Sequence, residues 1–233
     1  KKYIIILRSD DQDFILKMIL LDPHIISFPD PESTDSESGL LAIGGDLSAE
    51  RIHFAYQLGL FPWFNPGEEI LWWCPDPRFV LFPNVVKISK SMRKILRDEV
   101  FSFTENKCFR EVIEECQKTF RKDQDGTWIS DELINSFVEL HHLGIAKSIE
   151  VWQNEELVGG FYGIQIGHVF CGESMFAKVS NASKAGFINF IQNNKENLEL
   201  IDCQIFSEHL ESLGAKMISK KDYLTILKRN NES

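Results

Sequence analysis

The chain has 233 residues, 43% of them hydrophobic, and its 35 acidic against 25 basic side chains give a net charge of -10. That length and apolar content can form one large domain, or a small one beside a larger one, and they exclude disorder for most of the chain. No apolar run approaches the ~18 residues of a membrane span, and no apolar stretch follows Lys1 and Lys2 as in a secretory leader, so a cytoplasmic protein without membrane contact is expected. Cys74, Cys108, Cys116, Cys171 and Cys203 are scattered, form no Cys-x-x-Cys pair and have no histidine at zinc-ligand spacing. They predict a reduced compartment. The adjacent His141 and His142 point to different sides of any regular element, so no metal is expected.

In chain order, Tyr3–Leu7 reads as a short strand and Asp13–Leu21 as a helix. Phe28–Ser38, with two prolines, four acids and three serines, reads as a surface loop. Ser48 is a candidate N-cap for a helix that stops at Gly59. Phe61-Pro-Trp-Phe-Asn-Pro-Gly67 and Ile70-Leu-Trp-Trp-Cys-Pro-Asp-Pro-Arg78 are too aromatic and too interrupted by proline for a clean helix or strand. A junction is placed there, with a small N-terminal domain over residues 1–76 and a larger domain over 77–233. The latter opens with a strand at Phe79–Phe82 and a helix near Ser89. A second helix spans Thr104–Arg121, with Phe109, Val112, Ile113, Cys116 and Phe120 on one stripe. A third runs from Asp131 to His142 and ends at Gly144. Three strand-like runs, Ser148–Trp152, Leu157–Gln165 and His168–Phe176, are joined by short turns and predict an antiparallel meander. A helix capped near Asn181 or Ser183 leads to a last core strand, Leu198–Phe206, and two short helices. The predicted class is α+β, with helices against a mainly antiparallel sheet.

Four groups of residues could carry chemistry. In Ile201-Asp-Cys-Gln-Ile205, strand alternation puts Asp202 and Gln204 on one face. They form either the wet face of an edge strand, or a carboxylate that fixes the Gln amide so that its free oxygen holds an attacking amine. In Phe170-Cys-Gly-Glu-Ser-Met-Phe176, Glu173 is either solvated or placed to steer an ammonium. No nucleophile elbow is present, because Phe176 stands where the second glycine belongs, and Cys171 and Ser174 have no adjacent base. Lys90, Arg93, Lys94 and Arg97 share one helix face, which is either solvated or a polyanion contact in an otherwise acidic chain. Trp63, Trp72, Trp73 and Trp128 either fill cores or stack on a nucleobase.

Taken together, the chain resembles the leucyl/phenylalanyl-tRNA–protein transferases of bacteria from about Leu20 to Leu227. The resemblance is carried by Gly39-Leu-Leu-Ala-Ile-Gly-Gly-Asp-Leu47, Phe61-Pro-Trp-Phe64, Ile70 to Arg78, Gly126-Thr-Trp-Ile129, His141 with Gly144, Ser148-Ile-Glu-Val-Trp152, Leu157-Val-Gly-Gly160, Phe170 to Phe176, Asn181-Ala-Ser-Lys184 and Ile201-Asp-Cys-Gln204. Their shared order and spacing make the resemblance specific. It implies a small N-terminal domain and a C-terminal domain similar to the GCN5-related acetyltransferase fold. It also implies transfer of Leu or Phe, sometimes Met, from tRNA to proteins with N-terminal Arg or Lys, marking them for degradation. No cofactor is implied, since the aminoacyl ester is already activated, and the expected state is a monomer.

By matching motif, Gln204 would engage the attacking amine, Asp202 would orient and polarise Gln204, and Glu173 would attract the basic N-terminus. Trp63 and Trp128 would contact the terminal adenosine, and the Lys90, Arg93, Lys94 and Arg97 face the acceptor stem. Phe161, Phe170, Phe187, Phe190 and Ile205 are expected to form the side-chain pocket. Phe161 and Phe187 depart from the Met and Leu usual in the family, which bears on the Leu/Phe preference. Two rival functions are a GCN5-type acyl-CoA transferase and a non-catalytic tRNA- or degron-binding module. The first needs a pyrophosphate-binding Gly-rich loop, to which only His141-His-Leu-Gly-Ile-Ala146 comes near. The second has no need of Asp202, Gln204 and Glu173 together.

Overall fold

The computed structural model describes residues 3–7, 16–33, 38–119 and 127–232. In chain order the strands and helices are β1 (Tyr3–Leu7), β2 (Leu16–Leu21), β3 (Leu40–Gly44), α1 (Ala49–Gln57), β4 (Phe61–Pro62), β5 (Leu71–Trp73), β6 (Arg78–Leu81), α2 (Lys90–Arg97), β7 (Ser102–Glu105), α3 (Phe109–Lys118), α4 (Asp131–His142), β8 (Ala146–Gln153), β9 (Glu156–Ile166), β10 (Val169–Ala177), α5 (Ala182–Asn193), β11 (Leu200–Gln204), α6 (Glu208–Glu211), β12 (Lys216–Ile218) and α7 (Lys220–Asn231). They make two sheets, β1-β2-β3-β5-β4 and β12-β6-β11-β10-β9-β8-β7. The larger sheet is antiparallel except where β10 runs parallel to β11, and α5 makes the crossover that parallel neighbours require. The α+β class follows from this arrangement.

The helices cover both faces of the large sheet. Apolar residues of α1, α3, α4 and α7 pack on one face, and those of α2 and α5 on the other. The first of these cores also takes in Leu41 and Trp72 of the smaller sheet, so one apolar interior runs from the first sheet into the second. Helix starts follow the expected chemistry at Ser48, Ser89 and Ser130, whose hydroxyls each accept from the amide three residues on. Gly59 and Gly144 adopt the left-handed conformation after α1 and α4.

Three expectations need correction. The Asp13–Leu21 helix is instead the strand β2. Its backbone pairs with β1 on one side (Tyr3↔Leu20) and β3 on the other (Ile19↔Ala42), and two partner strands outweigh a short segment's helical propensity. Residues 13–15, and residues 34–37 of the expected Phe28–Ser38 loop, lie outside the described residues. The Thr104–Arg121 helix begins only at Phe109, because Thr104 and Glu105 pair with Glu150 and Ile149 in β7–β8. The Glu150 carboxylate then accepts from the backbone N–H groups of Lys107 and Cys108 at 3.2 and 3.4 Å, setting the start of α3. Phe120, Arg121 and Gly126 also lie outside the described residues. Of the two expected caps of α5 the structure uses Asn181, at a φ of 69° and without a side-chain capping bond. Finally, Leu198–Phe206 is not the last strand, since the three-residue edge strand β12 pairs with β6.

Glycines set how closely α5 approaches the sheet. A Cβ on Gly159 would come within 2.8 Å of Ala182 Cβ, and one on Gly186 within 2.5 Å of Val151 Cγ2. Gly159→Ala should therefore push α5 outward and cost about 1–3 kcal/mol, read as a lower midpoint in thermal or urea unfolding.

Candidate active site

The parallel pair β10–β11 holds together only over Val169–Cys171 and Leu200–Asp202. Beyond it, register shifts occur in β10 between Gly172 and Ser174 and in β11 between Asp202 and Gln204. An extra residue in one strand breaks alternation and re-aims its neighbours. Glu173 and Gln204 sit at these two shifts, and the strands part to leave a cavity of about 510 Å³. Gln204 takes a φ of 63°, a conformation that L-residues avoid unless the surroundings impose it.

Those surroundings begin with Asp202. It is fully buried in a strand flanked by β6 and β10, so the wet edge strand is excluded. Its Oδ1 accepts from the Gln204 backbone N–H (2.9 Å) and from Arg78 Nε (2.7 Å). Its Oδ2 accepts from Arg78 Nη2 (2.6 Å) and from the Tyr223 hydroxyl (2.9 Å). The expected bond from Asp202 to the Gln204 side-chain amide does not form. The shift in β11 turns the backbone N–H of Gln204 toward the carboxylate, so Asp202 holds the main chain in its left-handed turn. Arg78 is itself buried, its guanidinium lying 4.8 Å from the Phe61 ring centre and 4.5 Å from that of Tyr223. Burial opposes its charge, but Asp202 more than compensates and keeps it firmly protonated; burial and then Asp202 push the Tyr223 phenol well up.

The Gln204 side chain turns instead to Glu173, its Nε2 donating to Oε1 at 2.6 Å. Against an ionised carboxylate only the NH₂ end of the amide can face Glu173, which leaves the Gln204 carbonyl oxygen as the acceptor presented to the cavity. Loss of solvation raises the Glu173 carboxyl, the Tyr56 hydroxyl and the Gln204 amide pull it partly back and Asp202 raises it further, which leaves it at about 7. Although the Tyr56 hydroxyl makes no conventional hydrogen bond among the described residues, it is close enough to Glu173 that each shifts the other. Strict alternation would send Cys203 to the face opposite Asp202 and Gln204, but it lines the cavity, again because alternation breaks here. Desolvation raises its thiol and that of Cys171 far above neutrality, so neither is a thiolate nucleophile.

The structure brings Gln204, Asp202, Glu173, Trp63, Trp128, Phe161, Phe187 and Ile205 to this one cavity. Phe170 and Phe190 do not line it. They stand behind Phe161, with ring centres 6.0 and 5.6 Å from its own. Lys90, Arg93, Lys94 and Arg97 are exposed on α2, away from the cavity lining, on a helix that packs against α5. Arg97 pairs with Asp98, and the Arg93 guanidinium donates to the Ile88 carbonyl. His141 stacks on Phe109 and shares a hydrogen bond with the Ala146 carbonyl, a structural role. Sequence reasoning assigned no role to Arg78, Tyr223 or Tyr56. An arginine opening an apolar strand, and a tyrosine in a polar C-terminal helix, look like surface residues until the tertiary contacts exist.

Two family models match the chain, that of the leucyl/phenylalanyl-tRNA protein transferase over residues 80–228 and that of its N-terminal domain over residues 45–76. The chain belongs to the leucyl/phenylalanyl-tRNA–protein transferase family. A protein of that name from Flavobacterium johnsoniae is 59% identical over 202 residues, covering 86% of this chain and 95% of its own. Relatives of the same name from Klebsiella pneumoniae and Escherichia coli are 47% and 46% identical, each over 91% of this chain and 90% of its own. Among solved structures, a GCN5-related N-acetyltransferase-like protein from Streptococcus suis aligns at a TM-score of 0.36 and 14% identity, over 61% of this chain and 57% of that one. A likeness that distant has no bearing on function. As a member of the transferase family the chain is an aminoacyltransferase, and neither the acyl-CoA nor the purely binding reading is favoured.

The buried pair can be tested by stability. Arg78→Met leaves Asp202 charged and without its partner, and should cost about 3–5 kcal/mol. Tyr223→Phe removes one hydroxyl and should cost about 1 kcal/mol. Urea unfolding of both variants should show this order, and equal losses would mean that the ion pair does not dominate.

Proposed function

We propose that the chain transfers Leu or Phe, with Met as a third candidate, from aminoacyl-tRNA to the N-terminal Arg or Lys of acceptor proteins. In this proposal the product is marked for degradation, the setting is the cytoplasm, and the protein acts as a monomer with its domains meeting near residue 76. The observation that carries it is the Gln204–Glu173 pair, which sits over the cavity beside the Phe161 and Phe187 wall. Among the described residues no helix is long and apolar enough to cross a membrane.

The acceptor's α-amino nitrogen attacks the ester carbonyl carbon. A C–N bond forms, the bond to the ribose 3′ oxygen breaks, and the proton lost by nitrogen ends on that departing oxygen. Gln204 accepts a hydrogen bond from the amine and aims its lone pair, while Asp202 holds the Gln204 main chain and ionised Glu173 draws in the cationic N-terminus. An α-amine with pKa ≈ 7.7–8.0 is partly unprotonated at neutral pH, so no strong base is needed. Orientation can supply roughly 7–11 kcal/mol of the barrier reduction. Trp63 and Trp128 would stack on the terminal adenosine, with the exposed α2 cations meeting phosphates of the acceptor stem. Phe161, Phe187 and Ile205 would receive the donor side chain. A methylene there discriminates by only ~1–3 kcal/mol, so both Leu and Phe are accommodated.

Radiolabelled Leu and Phe, each supplied on its tRNA, should reach peptides beginning with Arg or Lys and not Ala, with acetyl-CoA inactive in parallel. Label on Ala peptides, or acetyl transfer alone, would sink the proposal. Gln204→Ala should abolish transfer while leaving tRNA affinity intact, an outcome a pure binding module cannot produce. The rate should also depend on pH in two limbs. With its carboxyl raised to about 7, Glu173 is neutral below that value and charged above it, so transfer should climb through pH 7 and again as the acceptor amine deprotonates. In Glu173→Gln only the upper limb should remain, and an unchanged profile would remove Glu173 from the role of cation guide.

A further inference from the structure

Resting on the transfer reading above, we infer that His209 binds the α-amino group of the donor amino acid through Nε2. His209 opens into the same cavity as Gln204 and Glu173, from the short helix α6 that follows β11. Its Nε2 is shielded from solvent and has no hydrogen-bond partner among the described residues. A polar atom left in that condition costs free energy unless a ligand satisfies it. The backbone that carries it is pinned: Ser212 Oγ donates to the His209 carbonyl at 2.6 Å, and Lys184 Nζ reaches Ser212 Oγ at 3.4 Å, tying α6 to α5. The imidazole is therefore presented on the wall that also carries Ser183 and Phe187, one turn apart on α5.

Geometry of the donor selects the atom it meets. When the donor side chain enters the apolar wall and the ester carbon lies at Gln204, the α-carbon sits between them and its amino group must leave water inside the cleft. Among the polar groups that line the cavity, both Asp202 oxygens are occupied by Arg78, Tyr223 and the Gln204 backbone, and the Gln204 amide nitrogen is held by Glu173. Burial, reinforced by the nearby Lys184 charge, lowers the His209 pKa and keeps the ring neutral, so one ring nitrogen bears a lone pair that can accept from the amine. Held there, the donor's own amine is kept from competing with the acceptor's.

The test compares full-length wild type with His209→Ala, His209→Asn and His209→Gln, using Phe-tRNA and the same tRNA charged with 3-phenylpropionate, which lacks the α-amino group. With Phe-tRNA, His209→Ala and His209→Asn should raise the donor KM about tenfold and leave the acceptor-peptide KM unchanged. His209→Gln, whose amide reaches the Nε2 position, should recover most of the loss, whereas Asn mimics only Nδ1. With 3-phenylpropionyl-tRNA all four proteins should react alike. Thermal unfolding accompanies each variant, and if Ala lowers the melting point, the Asn and Gln pair is compared instead. An equal penalty with both donors, or a change in acceptor KM alone, overturns the assignment to the α-amino group. Wild type that transfers normally beside unaffected variants defeats this inference only; wild type inactive on Phe-tRNA defeats the transfer reading and this inference with it.

Discussion

A charged carboxylate buried with no access to water needs its charge balanced and every lone pair engaged, and Asp202 meets both needs through Arg78, Tyr223 and one backbone amide. Its partners come from separate parts of the chain. Arg78 opens the first strand of the large sheet, Tyr223 lies on α7, and Phe61, whose ring covers the guanidinium, belongs to the smaller sheet. The ion pair thus acts as a positioning device as well as a packing element, because the carboxylate that binds Arg78 also fixes the unusual backbone of Gln204. Replacing the pair by apolar residues could yield a stable fold, but it would lose the acceptor that holds that turn.

The second constraint is the parting of the two parallel strands. A continuous pairing of β10 with β11 would close the sheet and send alternate side chains to opposite faces. Register shifts in both strands at the same level stop the pairing, turn Glu173 and Gln204 toward one another, and leave room between them for a substrate. The helix that connects these strands, α5, supplies Phe187 to the apolar wall beside Phe161 of β9. The parted strands, the polar pair and the pocket are therefore consequences of one irregularity.

Much of this was readable in the sequence. Hairpin turns between apolar runs locate β8, β9 and β10, and serines at helix starts locate α1 and α2, because those signals are local. Ten ordered motifs identified the family, as the comparisons show. Less was readable where long-range contacts decide the outcome. The β2 segment looked helical because nothing in its own residues reveals two partner strands. Strand alternation placed Asp202 and Gln204 correctly in one site but gave the wrong contact between them, since a register shift leaves no mark on composition. The resemblance puts Phe170 and Phe190 in the pocket because matching motifs place residues near a site, but do not separate a lining from the layer behind it. Arg78 and Tyr223 were passed over because polar residues are read as exposed until their partners are known.

The position of Tyr223 also governs when the site can come into being. A ribosome delivers β6, β10 and β11 before α7, so until that helix emerges the growing chain has Arg78 covered by the Phe61 ring alone and Asp202 short of one donor. The earlier elements can collapse around their apolar cores, but the left-handed turn at Gln204 then lacks its full support. Vectorial synthesis therefore separates folding of the sheet from maturation of the reaction centre, and α7, the last of the described helices, is the one that completes it.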